Sequence, residues 1–499
     1  RLPGMLWASV LRAPVQGEVP ESVDDSAARA VPGVKNVLRL PYGVAVVADS
    51  FYTAKTARDQ LKVVWSQKAK ARAQNSDTMR AEYVKRAQNL DDKGVAFIAH
   101  GDAAAKLAGA VKTFSATYTS EMVSHICLEP MNCTARVDGD KIEVWAPAQS
   151  ASFVTGTVAR FGGFKPENIK VNITLLGGGF GRRVEADYAA DAALVAKSMP
   201  GTPIQVIWTR EDDMTHDKYR PMTGQHLVAG VDAQGKLVGL LHRVVSEGVY
   251  ARVVPPAFKA SGGKDAPVME GTEITYDIPD HSVQFMIEDR GIDAGFWRAV
   301  GPGYTKFAIE TLIDEVARGV KADPLAYRMD LLKKNPRGQA VLKAVAEMSQ
   351  WGQAKLPKGH ALGLAFSDAW NTYCGMVVEV SVEKGRPKVH KVWSAVDCGH
   401  ALQPQNVQAQ IEGSVIFGLS AALHEHMDFK AGVPQQMNLN TYQVLRANEA
   451  PEVFVKVMPT DNHPGGIGEV GLPPLAPAVA NAIASLNGKR LRALPLPMV

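Results

Sequence analysis

Cysteine is scarce in this 499-residue chain: Cys127, Cys133, Cys374 and Cys398 are all it has, and none forms a CxxC pair. That excludes a four-cysteine zinc site or an iron–sulfur cluster built locally from this chain, and it argues against a disulfide framework. Charge of one sign is scarce too. The formal net charge is only +4, and basic residues such as Arg182-Arg183 come in short clusters, so nucleic acid is not the expected partner. No uninterrupted apolar run is long enough to span a bilayer. Internal repeats and low-complexity segments are missing as well. The opening residues, Arg1-Leu2-Pro3-Gly4, include no methionine or signal-like apolar stretch, and the expectation is that processing or a boundary removed what preceded them.

What remains is the composition of an ordinary globular protein, 46% hydrophobic and 21% charged, with length for two to four domains. Short β-rich runs at Met5–Leu11, Val34–Leu38, Val44–Val47 and Leu61–Trp65, with a helical piece at Tyr52–Asp59, suggest a small α/β domain over residues 1–66. Residues 67–112 are polar and Ala/Lys-rich, as in surface helices and a linker. A larger α+β unit follows, with strands predicted at Lys112–Thr119, Lys141–Trp145, Lys170–Leu176 and Ile204–Thr209, and helices at Asp187–Ser198 and Thr305–Arg318. Beyond a second helical linker, strands at Gly375–Val382 and Lys388–Val396 precede a helix at Gln405–His424. Its Val407, Ile411, Val415, Leu419 and Leu423 repeat at i+4 and mark a core stripe.

Chemistry concentrates in a few loops. Gly465-Gly466-Ile467-Gly468-Glu469-Val470-Gly471-Leu472-Pro473-Pro474 presents one carboxylate on a glycine-rich turn and opens into a helix predicted over Pro473–Ser485. Glycines remove bulk beside Glu469, so a ligand can approach it closely; a capping Glu on a surface loop is the plainer reading. Gly177-Gly178-Gly179-Phe180-Gly181-Arg182-Arg183 follows a strand and can turn backbone N–H groups toward an anion or oxo group. It is neither GxGxxG nor a P-loop. Phe296-Trp297-Arg298, ahead of Val300 and Gly301, can offer a planar donor fork or a structural ion pair. Gln149 ends a predicted strand. His125 and Glu129 suggest a buried mutual hydrogen bond, and His424-Glu425-His426 and His463 are expected to face solvent.

Taken in chain order, these pieces resemble the molybdenum-binding large subunit of the xanthine oxidase family of molybdenum hydroxylases. Within it they resemble the isoquinoline 1-oxidoreductase beta-subunit type, related to membrane-associated aldehyde dehydrogenases. The resemblance rests on His125…Leu128-Glu129-Pro130, the loop ending in Gln149, Gly177 to Gly181, and Trp208-Thr209-Arg210-Glu211-Asp212-Asp213-Met214. It continues through Phe296-Trp297-Arg298, Asp397-Cys398-Gly399, Gln410-Ile411-Glu412-Gly413 and Gly468-Glu469, nearly the whole chain. The implied fold is α+β: a hammerhead-type α/β domain (1–66), a helical linker (67–112), a first molybdenum-binding half (113–330), a second linker (331–358) and a second half (359–499).

The resemblance implies a molybdenum–molybdopterin cofactor in the cytosine dinucleotide form, its metal held by the pterin dithiolene and by no side chain. Gln149, Gly178, Gly179, Phe180, Gly181, Arg298, Gln410 and Gly468 would bind the cofactor, and Phe296, Trp297 and Val300 would line the substrate funnel. Glu469 matches the general base that deprotonates the metal's water-derived hydroxyl. The implied reaction is hydroxylation of an aldehyde or aromatic N-heterocycle. Val184 stands where purine-oxidising relatives carry a carboxylate, which speaks against purines. A Met-Gly-Gln-Gly segment that binds the cofactor in the family is absent, so a second chain or a removed segment is implied. Further implied partners are a small ferredoxin-like subunit with 2Fe–2S clusters and a c-type cytochrome subunit carrying haem. Subfamily habit implies a periplasmic or periplasm-facing membrane-associated complex, with the cytoplasm as the other assignment. Two rivals stand beside this reading: a non-catalytic scaffold of the same fold, and a phosphate- or nucleotide-binding α/β module around Gly177–Arg183.

Overall fold

Gly43 to Ala48 is buried at every position, as a strand covered on both faces must be. The computed structural model, which describes residues 1–499, places it inside a seven-stranded sheet. In order across that sheet lie Ile169–Ile173, Lys141–Ala146, Asn132–Asp138, Ile204–Ile207, Leu6–Arg12, Gly43–Ala48 and Val34–Leu40. Leu6–Arg12 pairs antiparallel with Gly43–Ala48 and parallel with Ile204–Ile207, in the register Leu6↔Ile204.

Residues 1–66 therefore do not make a self-contained α/β domain. Three of their strands extend a sheet built from residues 132–207, and only the Pro20–Asp24/Lys62–Trp65 ribbon and two short helices lie outside it. Local apolar patterning announces a strand but not its neighbour, which is why the boundary is misplaced from sequence. The stretch 67–112 likewise is more than a linker. Val95–His100 is the edge strand of a six-stranded sheet, and helix Ser76–Gln88 packs so tightly on that sheet that a Cβ at Gly224 would lie 2.7 Å from the Tyr83 backbone.

The six-stranded sheet runs Ala493–Leu494, Lys112–Ser120, Thr223–Val231, Leu237–Glu247, Asp280–Glu288, Val95–His100; a four-stranded one runs His360–Ala369, Thr372–Glu383, Arg386–Asp397, Glu452–Val457. Helices Pro302–Gly319 and Leu475–Asn487 fill the space between them. One core cluster contains side chains from both sheets and both helices, so these elements share a single apolar interior. Helix Leu475–Asn487 lies so close on strand His360–Ala369 that a Cβ at Gly363 would overlap the Ala478 backbone. That helix begins after Pro473 and Pro474 instead of including them, and ends on Gly488 in the left-handed region (φ 81°). The i+4 stripe of helix Pro404–Leu423 is buried as predicted through Leu419, with Leu423 at its margin. All four cysteines are buried free thiols.

One ion pair locks this interior. Arg328 Nε donates to Glu310 Oε2 at 2.8 Å with both side chains fully buried, and Tyr276 Oη (2.6 Å) and the Phe366 N–H (2.9 Å) also donate to the Glu310 carboxylate. Glu310→Ala would leave the guanidinium without its counter-charge. The expected loss is about 3–5 kcal/mol, seen as an earlier first transition in calorimetric unfolding.

Candidate active site

Five connections and one helix meet at a cleft of about 800 Å³. Its walls are Gln149, Leu176, Gly178 to Gly181, Val184, Phe296, Arg298, Val300, Trp370, Gln410, Gly466, Gly468 and Glu469. Residues from opposite ends of the sequence are thus brought together. Every cofactor- or base-type residue named from sequence lines this cleft, as do Phe296 and Val300.

The glycine loop is shaped by its backbone. Gly178 (φ 95°), Phe180 (φ 53°) and Gly181 (φ 105°) all lie in the left-handed region. A Cβ at Gly179 would sit 2.5 Å from Gln149 Oε1, and one at Gly181 would overlap the Phe296 carbonyl. The Gly181 N–H donates to Gln149 Oε1 (3.0 Å), and the Gln149 N–H to the Arg183 carbonyl (2.9 Å), so the amide side chain is fixed at the cleft wall. Phe180 stacks on Phe417 (centroids 4.6 Å apart) from helix Pro404–Leu423.

The loop is braced from behind by two arginines that in sequence look like no more than a short basic cluster. Arg183 is fully buried and donates to the carbonyls of Gly178 (2.8 Å), Pro147 (3.0 Å) and Glu129 (2.8 Å), and to the Glu129 carboxylate (3.0 Å). Arg182 makes a two-pronged pair with Asp187 at 2.8 and 2.9 Å. His125 and Glu129 do not bond each other. His125 Nδ1 faces Asp217 (2.9 Å) and its Nε2 the Phe296 carbonyl, while Glu129 accepts the Gly177 N–H (2.8 Å). Burial alone would raise the Asp217 carboxyl, but His125, Arg182 and Ser124 outweigh it and hold it below the usual range. Both lie in the irregular stretch between strands Lys112–Ser120 and Asn132–Asp138, which turns their side chains to different partners.

Arg298 and Glu469 are joined through one another's loops. Arg298 Nε donates to the Gly468 carbonyl (2.8 Å), and Nη2 to Gln410 Oε1 (3.0 Å) and Ser414 Oγ (2.9 Å). Burial pulls the guanidinium below its ordinary value, with the Glu469 charge opposing. The next residue, Ala299, donates its N–H to Glu469 Oε1 (2.9 Å). Ala299 (φ 77°) and Val300 (φ 42°) are both left-handed to make that reach.

Trp297 departs from expectation. It is fully buried, stacked on Phe417 (4.8 Å) with its indole N–H on the Ser124 carbonyl (3.3 Å), and it lines no part of the cleft. Alternation along the loop sends Phe296 and Arg298 to the cleft and Trp297 inward. Of the histidines expected to face solvent, His424 is mostly buried against Glu449 (3.0 Å), and the intervening Glu425 is buried under Tyr442 (2.9 Å); burial pushes its carboxyl up to about 7. Trp370, from a two-residue turn between strands, and Glu270 belong to no motif that sequence reading singles out. Glu270 is pushed up to about 7 by burial and then by the neighbouring Glu469 charge. No group of three or more His, Cys, Asp or Glu side chains is placed to hold a metal ion, and no helix is long and apolar enough to cross a membrane.

Two family descriptions, each reading molybdopterin cofactor-binding domain, match residues 88–332 and 318–451. The chain is 34% identical to isoquinoline 1-oxidoreductase subunit beta of Brevundimonas diminuta, over 99% of its own length and 65% of that protein. It is 30% identical to membrane-bound aldehyde dehydrogenase (pyrroloquinoline-quinone) of Gluconacetobacter polyoxogenes, over 99% and 68%. It thus spans about two thirds of the length of these curated relatives. Among solved structures, quinoline 2-oxidoreductase from Pseudomonas putida 86 superimposes with a TM-score of 0.82 at 15% identity, covering 99% of this chain and 94% of that one. Aldehyde oxidoreductase from Desulfovibrio gigas gives 0.77 at 15% identity, over 99% and 76%. At these identities the superpositions speak for the fold.

The backbone geometry makes a paired prediction. Gly181→Ala forces a Cβ into the Phe296 carbonyl at positive φ and should destabilise by more than about 1 kcal/mol. Gly468→Ala meets nothing within 4 Å and should change stability by less than about 0.5 kcal/mol. Thermal unfolding of the two variants checks both.

Proposed function

The chain belongs to the molybdopterin-binding large subunits of the xanthine oxidase family of molybdenum hydroxylases, and from that premise we propose that it oxidises an aldehyde or aromatic N-heterocycle with oxygen taken from water. One observation carries the reading: Glu469 is the only carboxylate among the residues lining a cleft otherwise walled by amide, guanidinium, glycine and apolar groups. Converting an aldehyde and one water to an acid releases two protons and two electrons. The site therefore needs a base and an electron acceptor.

The residues fit a bulky cofactor. At Gly178, Gly179 and Gly181 a Cβ would collide with Phe180, Gln149 and Phe296, so bare backbone forms that wall of the cleft, and Gly468 is open. Gln149, Gly178, Gly179, Phe180 and Gly181 would hold a molybdenum–pterin group in its cytosine dinucleotide form from one wall, and Arg298, Gln410 and Gly468 from the other. When bound, that group supplies the two-electron acceptor for the oxidation.

Glu469 has one oxygen committed. Oε1 accepts the Ala299 N–H, leaving Oε2 to take the proton from the attacking water-derived oxygen. The Arg298 charge steadies the loop that presents it. Phe296, Val300, Leu176 and Val184 keep water away from the reacting centre and favour a substrate with an apolar body over a purine, whose polar edges would go unpaired there. Electrons then pass to a ferredoxin-like subunit carrying 2Fe–2S clusters and onward to a c-type cytochrome, in a periplasm-facing complex. The third of the relatives' length that this chain does not match leaves room for a further cofactor-binding segment outside these 499 residues. Molybdenum analysis and a dye-reduction assay with aldehydes and N-heterocycles separate this reading from a non-catalytic scaffold.

Glu469→Gln should keep fold and molybdenum content while turnover falls by more than the usual ~10²–10⁴ of a general base; turnover within about tenfold of wild type would refute the role. Separately, the isolated 499-residue chain should fail to bind molybdopterin stoichiometrically, as measured by released pterin fluorescence per chain.

A further inference from the structure

We propose that Trp370 is a partition that sets the length of substrate admitted to the cleft, an inference that rests on the functional reading above. A second cavity, of about 270 Å³, adjoins the hairpin tip and is lined by Glu273, Ile274, Thr275, Asp368 and residues Ala369 to Tyr373. Trp370 is the one residue that lines both this cavity and the cleft holding Glu469. Trp370 thus forms part of the wall of both hollows.

The backbone holds it there under strain. Trp370 and Asn371 form the two-residue connection between strands His360–Ala369 and Thr372–Glu383, and both are left-handed, at φ 53° and 59°. Turns of this kind favour Asn-Gly, and a bulky residue at positive φ is a rare choice. Three contacts keep the turn in place. The Gly466 N–H donates to the Trp370 carbonyl (2.8 Å), a Cβ at Gly466 would lie 2.8 Å from the Trp370 Cβ, and a Cβ at Gly465 would lie 2.6 Å from the Asn371 carbonyl oxygen. The Glu469 loop therefore lies directly on the turn. Strain kept at one position, beside the proposed base and between two cavities, is the pattern of a residue placed for what its side chain blocks.

A substrate with a short or flat body ends at the indole. Removing the ring should open the cleft toward the second cavity, whose walls mix Ile274, Ala369 and Tyr373 with Glu273, Asp368 and Thr372, so each further methylene that enters gains at most roughly fourfold in binding. The assembled, molybdenum-loaded enzyme and its Trp370→Ala and Trp370→Phe variants are assayed with acetaldehyde, hexanal and octanal, and titrated calorimetrically with acetamide, hexanamide and octanamide. In Trp370→Ala the kcat/KM ratio of octanal to acetaldehyde should rise at least tenfold, carried by KM, and octanamide should bind at least tenfold tighter; Trp370→Phe should fall between. Ratios and octanamide affinity within twofold of wild type would overturn the partition. If Trp370→Ala does not assemble, the same readouts on Trp370→Phe decide. A wild-type enzyme that contains molybdenum but oxidises no aldehyde or heterocycle would sink the functional reading instead, while the amide titrations would still judge the partition.

Discussion

The whole site hangs from the Arg298 guanidinium. Its four donated bonds tie the Gly468 carbonyl to helix Pro404–Leu423, and the adjacent Ala299 N–H catches the Glu469 carboxylate. Magnitudes say why the arrangement holds. Two left-handed non-glycine residues cost about 1–3 kcal/mol each. Hydrogen bonds from a charged donor return about 1.5–3 kcal/mol apiece, and here there are four in a largely buried setting. The fork offsets the strain of the loop that carries it. Without the fork, the glycine-rich segment around residue 469 would have little to define its course.

Buried arginine serves the same end on the opposite wall. Glycines give the 177–181 loop its freedom, and Arg183 takes that freedom away by gripping three carbonyls from three segments. An arginine does this better than a lysine because its planar fork satisfies several acceptors at once. The aromatic column Phe180–Phe417–Trp297 completes the frame, with Trp297 as its buried foot and Phe180 at the cleft.

The cleft is legible in the sequence wherever chemistry demands an unusual composition. Gly177 to Gly181, Phe296 to Arg298 and Gly465 to Gly471 each combine glycine with one functional side chain, and such runs need a reason. Helix Pro404–Leu423 is legible through its i+4 stripe. Pairing is not, because strand patterns are local while register and neighbours are set by the whole fold. That is why the N-terminal strands separate, on sequence alone, from the sheet they complete, and why His125 pairs on paper with Glu129 instead of Asp217. Trp370 escapes for a related reason. A Trp-Asn turn carries no recognisable signal, since its meaning lies in the two hollows it divides.

The mixed ancestry of the seven-stranded sheet has a consequence for how the molecule is made. Its centre joins Leu6–Arg12 to Ile204–Ile207 in parallel, a contact that spans about two fifths of the chain. On a ribosome the first strands emerge long before their mate exists, and they must remain unpaired on one side until it arrives. Non-local parallel pairing of this kind is slow and leaves apolar edges open to other chains. Biosynthesis, more than endurance of the finished structure, is where this architecture is vulnerable.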